Sequence, residues 1–203
     1  MRGAREPGIG VDSEDRRFIR RLQRREEAAF TELVERYQAR IYALVLRMLG
    51  DPEEARDVAQ EVFISVFRRV DGFRGDAQLS TWMYRVAVNH TKNRLKYLGR
   101  RARGRTQEVD AVPEGVLHTA QARVHGAPPR PDQEAEARQM LGIVQAALAK
   151  LDPDFRALVV LRDRDGLSYG EISEVTGQPV GTVKSRLHRA RMALKAALEE
   201  QTK

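Results

Sequence analysis

Lys184, Ser185, Arg186, His188, Arg189 and Arg191 crowd into the segment GTVKSRLHRARM. Cations grip phosphates and short polar side chains reach base edges, so this mixture suits a nucleic-acid ligand. A second group, Arg85, Asn89, Lys92, Asn93 and Lys96, recurs every three or four residues. Asn can bond a base edge in two places while Lys and Arg hold the backbone. Phe73, Trp82 and Tyr84 lie close by in sequence. They are either core rings or flat faces for an unpaired base, the latter worth ~1–3 kcal/mol per base. In a third group, Asp57, Gln60 and Glu61 share one helical face. That polar stripe is either merely solvated or matched to a basic partner surface.

Helices must position these groups. Val183, Leu187, Ala190 and Leu194 follow at three- and four-residue steps and define the buried face of a helix opened by Pro179. Gly181, Ser185, His188 and Met192 then lie opposite that face, with Thr182 and Arg189 beside them and Lys184, Arg186 and Arg191 on the flanks. Gly181, lacking a side chain, lets a duplex approach the backbone closely. His188 either contacts DNA or packs on a neighbouring turn. Upstream, LSYGEI combines a capping box, Ser168 with Glu171, and a staple of Leu167 on Ile172. The short helix this starts ends at Gly177, where a left-handed backbone is allowed. A short helix, a glycine turn and a basic amphipathic helix form a helix-turn-helix pattern. The turn chemistry, more than the charge, favours DNA binding over a plain surface helix.

The N-terminal half is also helical. The spacing predicts helices over about Glu14 to Arg25 and Glu27 to Leu49, the second with a stripe of Phe30, Leu33, Val34, Tyr37, Ile41, Leu44, Val45 and Met48. Gly50 ends it. Asp51 as N-cap, Pro52 in the first position and Glu54 in the third start a helix to about Val70, burying Ala55, Val58, Ala59, Val62, Phe63 and Val66. After the loop DGFRGDAQLS, another helix runs from about Thr81 to Leu98. From Gly99 the chain turns basic and Pro-rich without periodicity, which marks a linker. The expected fold is all-α: two small helical domains joined by a flexible linker, the second containing the helix-turn-helix. The boundaries are a tail over 1–13, a domain over 14–98, a linker over 99–133 and a domain over 134–203. A flexible linker of this length spans roughly 30 Å and reaches ~110 Å extended. The domains can thus hold sites more than one turn of duplex apart, about 34 Å.

Composition sets the limits. The 203 residues carry 6% aromatic and 32% charged side chains and a net charge of +7, which suits a polyanionic partner. With no cysteine, disulfides and thiolate metal sites are excluded. His90, His118, His125 and His188 share no metal-ligand spacing, so neither metal nor cofactor is expected. There is no phosphate-binding Gly-rich loop and no nucleophile elbow, so no enzyme is expected. Asp163 and Asp165 precede a turn and are read as loop support. The segment MRGAREPGIGVDSEDRR has no apolar core, and IYALVLRML contains Arg47 and is too short to span a bilayer. A soluble, cytoplasmic chain without membrane insertion is expected.

The stretch LDPDFRALVVLRDRDGLSYGEISEVTGQPVGTVKSRLHRARMAL resembles the C-terminal DNA-binding domain of bacterial sigma factors of the extracytoplasmic-function (ECF) group. FTELVERYQARIYALVLRMLGDPEEARDVAQEVFISVF and FRGDAQLSTWMYRVAVNHTKN resemble that group's other domain. Both modules occur in the group's order, with the linker between. The resemblance implies a protein that binds core RNA polymerase, reads the −35 and −10 promoter elements and aids melting. It assigns Lys184, Ser185, His188 and Arg189 to the −35 element, with Arg186 and Arg191 nearer the backbone. The loop DGFRGDAQLS with Phe73 and the stripe of Arg85, Asn89, Lys92 and Asn93, with Trp82 and Tyr84, fall to captured −10 bases, Asn89 foremost. Asp57, Gln60 and Glu61 fall to polymerase docking. The group is commonly held inactive by an anti-sigma factor, a partner implied by the resemblance alone. Arg100, Arg101, Arg103 and Arg105 either touch nucleic acid or only add solubility. From the residues themselves, a dimeric helix-turn-helix repressor or activator acting without polymerase stays open. It predicts a dimer on a palindrome, whereas the sigma reading predicts a monomer that is weak alone.

Overall fold

The computed structural model describes residues 13–75, 77–105 and 131–201. Nearly all of the 1–13 tail and the central part of the 99–133 linker, with His118 and His125, lie outside these described residues. Within them the chain forms helices and no strand. The first half comprises α1 (Ser13–Gln23), α2 (Glu27–Leu49), α3 (Pro52–Arg69) and α4 (Leu79–Arg105). The second comprises α5 (Pro131–Lys150), α6 (Pro153–Val159), α7 (Tyr169–Thr176) and α8 (Val180–Gln201).

Local chemistry sets most of the boundaries. Gly50 sits in the left-handed region at φ 82° and returns its N–H to the Leu46 carbonyl, which ends α2. Asp51 accepts from the N–H groups of Glu53 and Glu54, the N-cap expected of it. Helix α1 stops before Arg25, which itself adopts φ 60°. That unusual backbone is held by its guanidinium, which lies 4.7 Å from the Phe67 ring and pairs with Asp71 at 2.5 Å. Helix α4 runs on to Arg105, past the expected end at Leu98, because the Arg-rich segment favours helix despite its glycines.

Two cores result. Leu33, Ile41, Leu44 and Met48 of α2 meet Val58, Val62 and Val66 of α3 and Leu79, Met83 and Ala87 of α4, all buried. Of the residues expected in these stripes, Val34 is exposed, and Phe30 and Phe63 are only partly buried. Val34 and Phe63 line a groove of about 380 Å³ between α2 and α3 instead. In the second half Leu148, Leu158, Leu161, Ile172, Val175, Val183 and Leu187 are buried together. The capping box at Ser168 forms in both directions, at 2.7 and 3.2 Å. Ser168→Ala is expected to lower stability by about 1 kcal/mol, read as a lower thermal midpoint.

The halves also pack on each other. The last carbonyls of α2 have no partner within their own helix, and the second half supplies donors. Gln145 Nε2 donates to the Arg47 carbonyl at 3.0 Å, and the Arg156 guanidinium donates to the Met48 carbonyl. The same Arg156 also donates to Ala149 O at 2.6 Å and Leu151 O at 3.2 Å, at the end of α5. One cation, 5% exposed, thus closes two helix C-termini, where the helix dipole favours positive charge.

Candidate nucleic-acid interface

Helix α8 presents the face its spacing predicts. Val183, Leu187 and Ala190 are buried, while Lys184, Ser185, His188, Arg189 and Arg191 are exposed. Gly177 closes α7 at φ 70°, and this left-handed turn sets the angle at which α8 departs. A Cβ at Gly181 would meet nothing within 4 Å, so this side of the helix is open. Ser185 Oγ turns back to the Thr182 carbonyl at 3.1 Å, and Lys184 Nζ lies 5.4 Å from the Tyr169 ring. Arg186 bends inward, its guanidinium 3.0 Å from Gln178 Oε1 and 5.8 Å from the Phe155 ring. Arg191 forms a two-pronged pair with Asp163, one bond at 3.0 Å, and this hydrogen bonding raises its already high pKa. His188 and Arg189 point outward without a partner among the described residues, the state a base-reading side chain needs.

The stripe on α4 is divided. Asn89 and Asn93 are exposed. Arg85, by contrast, donates from Nε to the Glu174 carbonyl of α7 at 2.7 Å. Lys92 pairs with Asp154 of α6 at 2.5 Å. The aromatic surfaces face protein. Phe73 is 7% exposed, with its ring 5.0 Å from Trp82, and Trp82 and Tyr84 are partly buried. Burial, helped by the Asp165 charge, pushes the Tyr84 phenol up to about 12. In this arrangement Phe73 is therefore a core ring, not an open stacking surface.

The α3 stripe is divided too. Asp57 and Gln60 are exposed, and Gln60 borders the groove. Glu61 is engaged: Arg94 of α4 forks between Glu54 and Glu61, each at 2.8 Å, and His90 lies 3.5 Å from the second Glu61 oxygen. Sequence reading missed Asp154 as a bridging anion, although the Asp152-Pro153-Asp154 run carries a helix-start signal. Asp152 is the cap and accepts from Asp154 N at 2.8 Å. It also missed the π-helical turn Val160–Arg164, whose geometry positions Asp163 and Asp165. Both aspartates do support structure, as read, but through ion pairs with distant helices: Asp163 with Arg191, and Asp165 with Arg47 at 3.2 Å.

Comparison with known proteins fits both halves. Residues 33–101 match the family Sigma-70 region 2, and residues 141–194 match Sigma-70, region 4. The RNA polymerase sigma-H factor of Pseudomonas aeruginosa is 38% identical over 194 residues, covering 93% of this chain and 96% of the relative. The ECF RNA polymerase sigma-E factor of Escherichia coli K12 is likewise 38% identical over 180 residues, covering 89% of this chain and 92% of the relative. The chain belongs to the ECF group of sigma factors. Among solved structures, CnrH in complex with the cytosolic domain of CnrY matches with a TM-score of 0.63 and 25% identity, over 93% of this chain and 99% of that one. As an ECF sigma factor the chain is an RNA polymerase sigma factor, and the dimeric regulator left open by the residues alone is not favoured. The all-α, two-domain fold expected from the spacing is the fold found.

Proposed function

We propose that α8 of this ECF sigma factor reads the −35 element and α4 the −10 element, while α3 docks on core RNA polymerase. Lys184, Ser185, His188 and Arg189 face the upstream bases, with Arg186 and Arg191 nearer the backbone. Asn89 and Asn93 take displaced −10 bases, with Arg85 and Lys92 on the strand. Trp82 and Tyr84 join them if the second domain moves away, and Phe73 shapes the pocket from beneath. Asp57 and Gln60 are the polymerase contacts, and Glu61 holds the stripe to α4 through Arg94. The observation that carries this reading is the exposed, unpartnered His188–Arg189 face directly after a glycine turn.

The protein acts by binding alone. Melting needs no hydrolysis if binding free energy favours the open strand. It works where RNA polymerase works, in the cytoplasm, and no helix among the described residues is long and apolar enough to cross a membrane. CnrH was solved in complex with the cytosolic domain of CnrY, which supports a protein partner here, and for a member of the ECF group an anti-sigma factor is the class we assign to it. The domain limits 14–98 and 134–203 and the connecting 99–133 are the division this reading uses.

In vitro transcription with purified core enzyme on a promoter library tests it. Initiation from a two-part promoter only when the protein is present is the expected result. Arg189→Ala should weaken recognition at one or two upstream positions by ~1–3 kcal/mol. An equal loss on every sequence would make Arg189 a phosphate contact instead.

A further inference from the structure

Two consecutive side chains of the π-helical turn Val160–Arg164 both serve one flank of α8. Asp165 closes this turn by returning its N–H to the Val160 carbonyl, five residues back, at 3.0 Å. Arg162 is anchored by donating from Nη1 to the Leu167 carbonyl at 2.7 Å, and its guanidinium lies 4.7 Å from the centre of the Tyr169 ring. The same ring takes Lys184 Nζ of α8 at 5.4 Å. Next in the chain, Asp163 accepts from Arg191 of α8 through both carboxylate oxygens. Lys184 and Arg191 stand seven residues apart, which is two turns and about 10 Å along one flank of the helix. Successive side chains of a regular α-helix point about 100° apart, whereas the wider turn lets Arg162 and Asp163 converge on α8. Interruptions of this kind recur at functional sites.

We propose that this turn is a positioning device for −35 reading, in which Arg162 aims Lys184 through the Tyr169 ring and Asp163 aims Arg191 directly. This rests on the −35 roles given above to Lys184 and Arg191. Long cationic side chains lose rotamer freedom when they meet a ligand, and holding them in place beforehand removes that cost. A ring face attracts the charge of an ammonium without using up its N–H groups, so Lys184 keeps its donors for DNA. Asp163 takes only part of the guanidinium's five donors, which leaves the rest of Arg191 for a phosphate. Two ties set two turns apart also fix the rotation of α8 about its axis, and with it the direction of His188 and Arg189, which lie between them. The part played by Asp163 is then opposite to what its charge alone dictates. A bare carboxylate beside DNA repels phosphates, and its removal tightens binding. As the holder of Arg191, its removal weakens binding.

Holoenzyme made with saturating core polymerase is assayed for open-complex formation on the two-part promoter selected from the library, and on copies changed one base at a time across the −35 element. Y169L should lower open-complex formation roughly two- to ten-fold and flatten base preference at the positions that K184M flattens. Y169F, which keeps the ring, should match the parent. D163A should also lose roughly two- to ten-fold, although it takes an anion away from a DNA-facing surface. Neither change should add to the loss of the cation it serves: Y169L with K184M, and D163A with R191M, should be no worse than K184M and R191M alone. Asp163 is exposed, so D163A tests the device even where Y169L folds poorly. Y169F as damaging as Y169L, or losses that add in the double variants, would overturn the positioning role. So would a D163A protein that binds as tightly as the parent or more tightly, since Asp163 is then only a repelling charge. K184M and R191M without effect on the intact promoter would overturn the −35 roles themselves, and the positioning role with them. A loss in K184M and R191M with none in Y169L and D163A overturns the positioning alone.

Discussion

Arg156→Met is expected to destabilise the protein by about 3 kcal/mol in denaturant unfolding, the largest effect of any single change considered. Its guanidinium serves carbonyls of Met48, Ala149 and Leu151, and the side chain is buried. Methionine fills the space but donates nothing, and each buried acceptor left unpaired costs roughly 1–3 kcal/mol. The cation's favourable position at two helix ends goes as well. Burial itself works the other way, pushing the Arg156 pKa below its ordinary value, with only Asp152 opposing. Even so, Arg stays charged, because its ordinary value lies so far above neutral. Arg156→Lys should recover only part of the loss, since an ammonium cannot span carbonyls from two helices as the planar fork does. A loss below 1 kcal/mol would mean that water serves these carbonyls equally well.

Arg47→Met should cost about 2–3 kcal/mol near neutral pH, because it strands Asp165. The Asp165 side chain is 11% exposed and pairs with Arg47 at 3.2 Å, and its second oxygen has no hydrogen-bond partner among the described residues. Burial pushes its carboxyl above the ordinary Asp range, and Arg47 and Arg164 only partly pull it back. Burial likewise lowers Arg47, with Asp165 opposing. For both groups desolvation outweighs the pairing, the usual outcome for a pair withdrawn from water. A carboxyl whose folded pKa is raised binds its proton more tightly when folded. Its ionisation therefore removes stability as pH rises from the ordinary Asp value through the raised one. Asp165→Asn should accordingly gain on the parent across that rise and match it at lower pH, in paired melts between about pH 3 and 7. The double change Arg47→Met with Asp165→Leu should lie near the parent. A destabilised Asp165→Asn at neutral pH would show that the pair outweighs its burial.

What the sequence revealed, and what it hid, divides along a physical line. Local signals were legible: Asp51, the Ser168 box, Gly50 and Gly177 act through partners a few residues away, and each end of helix they mark is where it was expected. The face of α8 was legible for the same reason, since helical spacing alone separates Val183 and Leu187 from His188 and Arg189. Features that depend on a second segment of chain were not. Nothing in ARDVAQE says that Glu61 will be taken by Arg94, 33 residues away. The aromatic surfaces were ambiguous by composition, and tertiary packing decided that Phe73 is covered. The seam between the domains was invisible, because the linker read as a tether gives no register. The π-helical turn has no residue signature apart from the helix that it interrupts.

The Met48 carbonyl and the Arg156 guanidinium stand 108 positions apart in the chain. A ribosome adding about 5–20 residues per second takes on the order of ten seconds to cover that distance. For that interval the first domain can fold, but the Arg47 and Met48 carbonyls at the end of α2 still lack the donors that the second half supplies. Each newly made molecule therefore passes through a stage in which the first domain is present and the α4 side chains Arg85 and Lys92 have no second domain to meet.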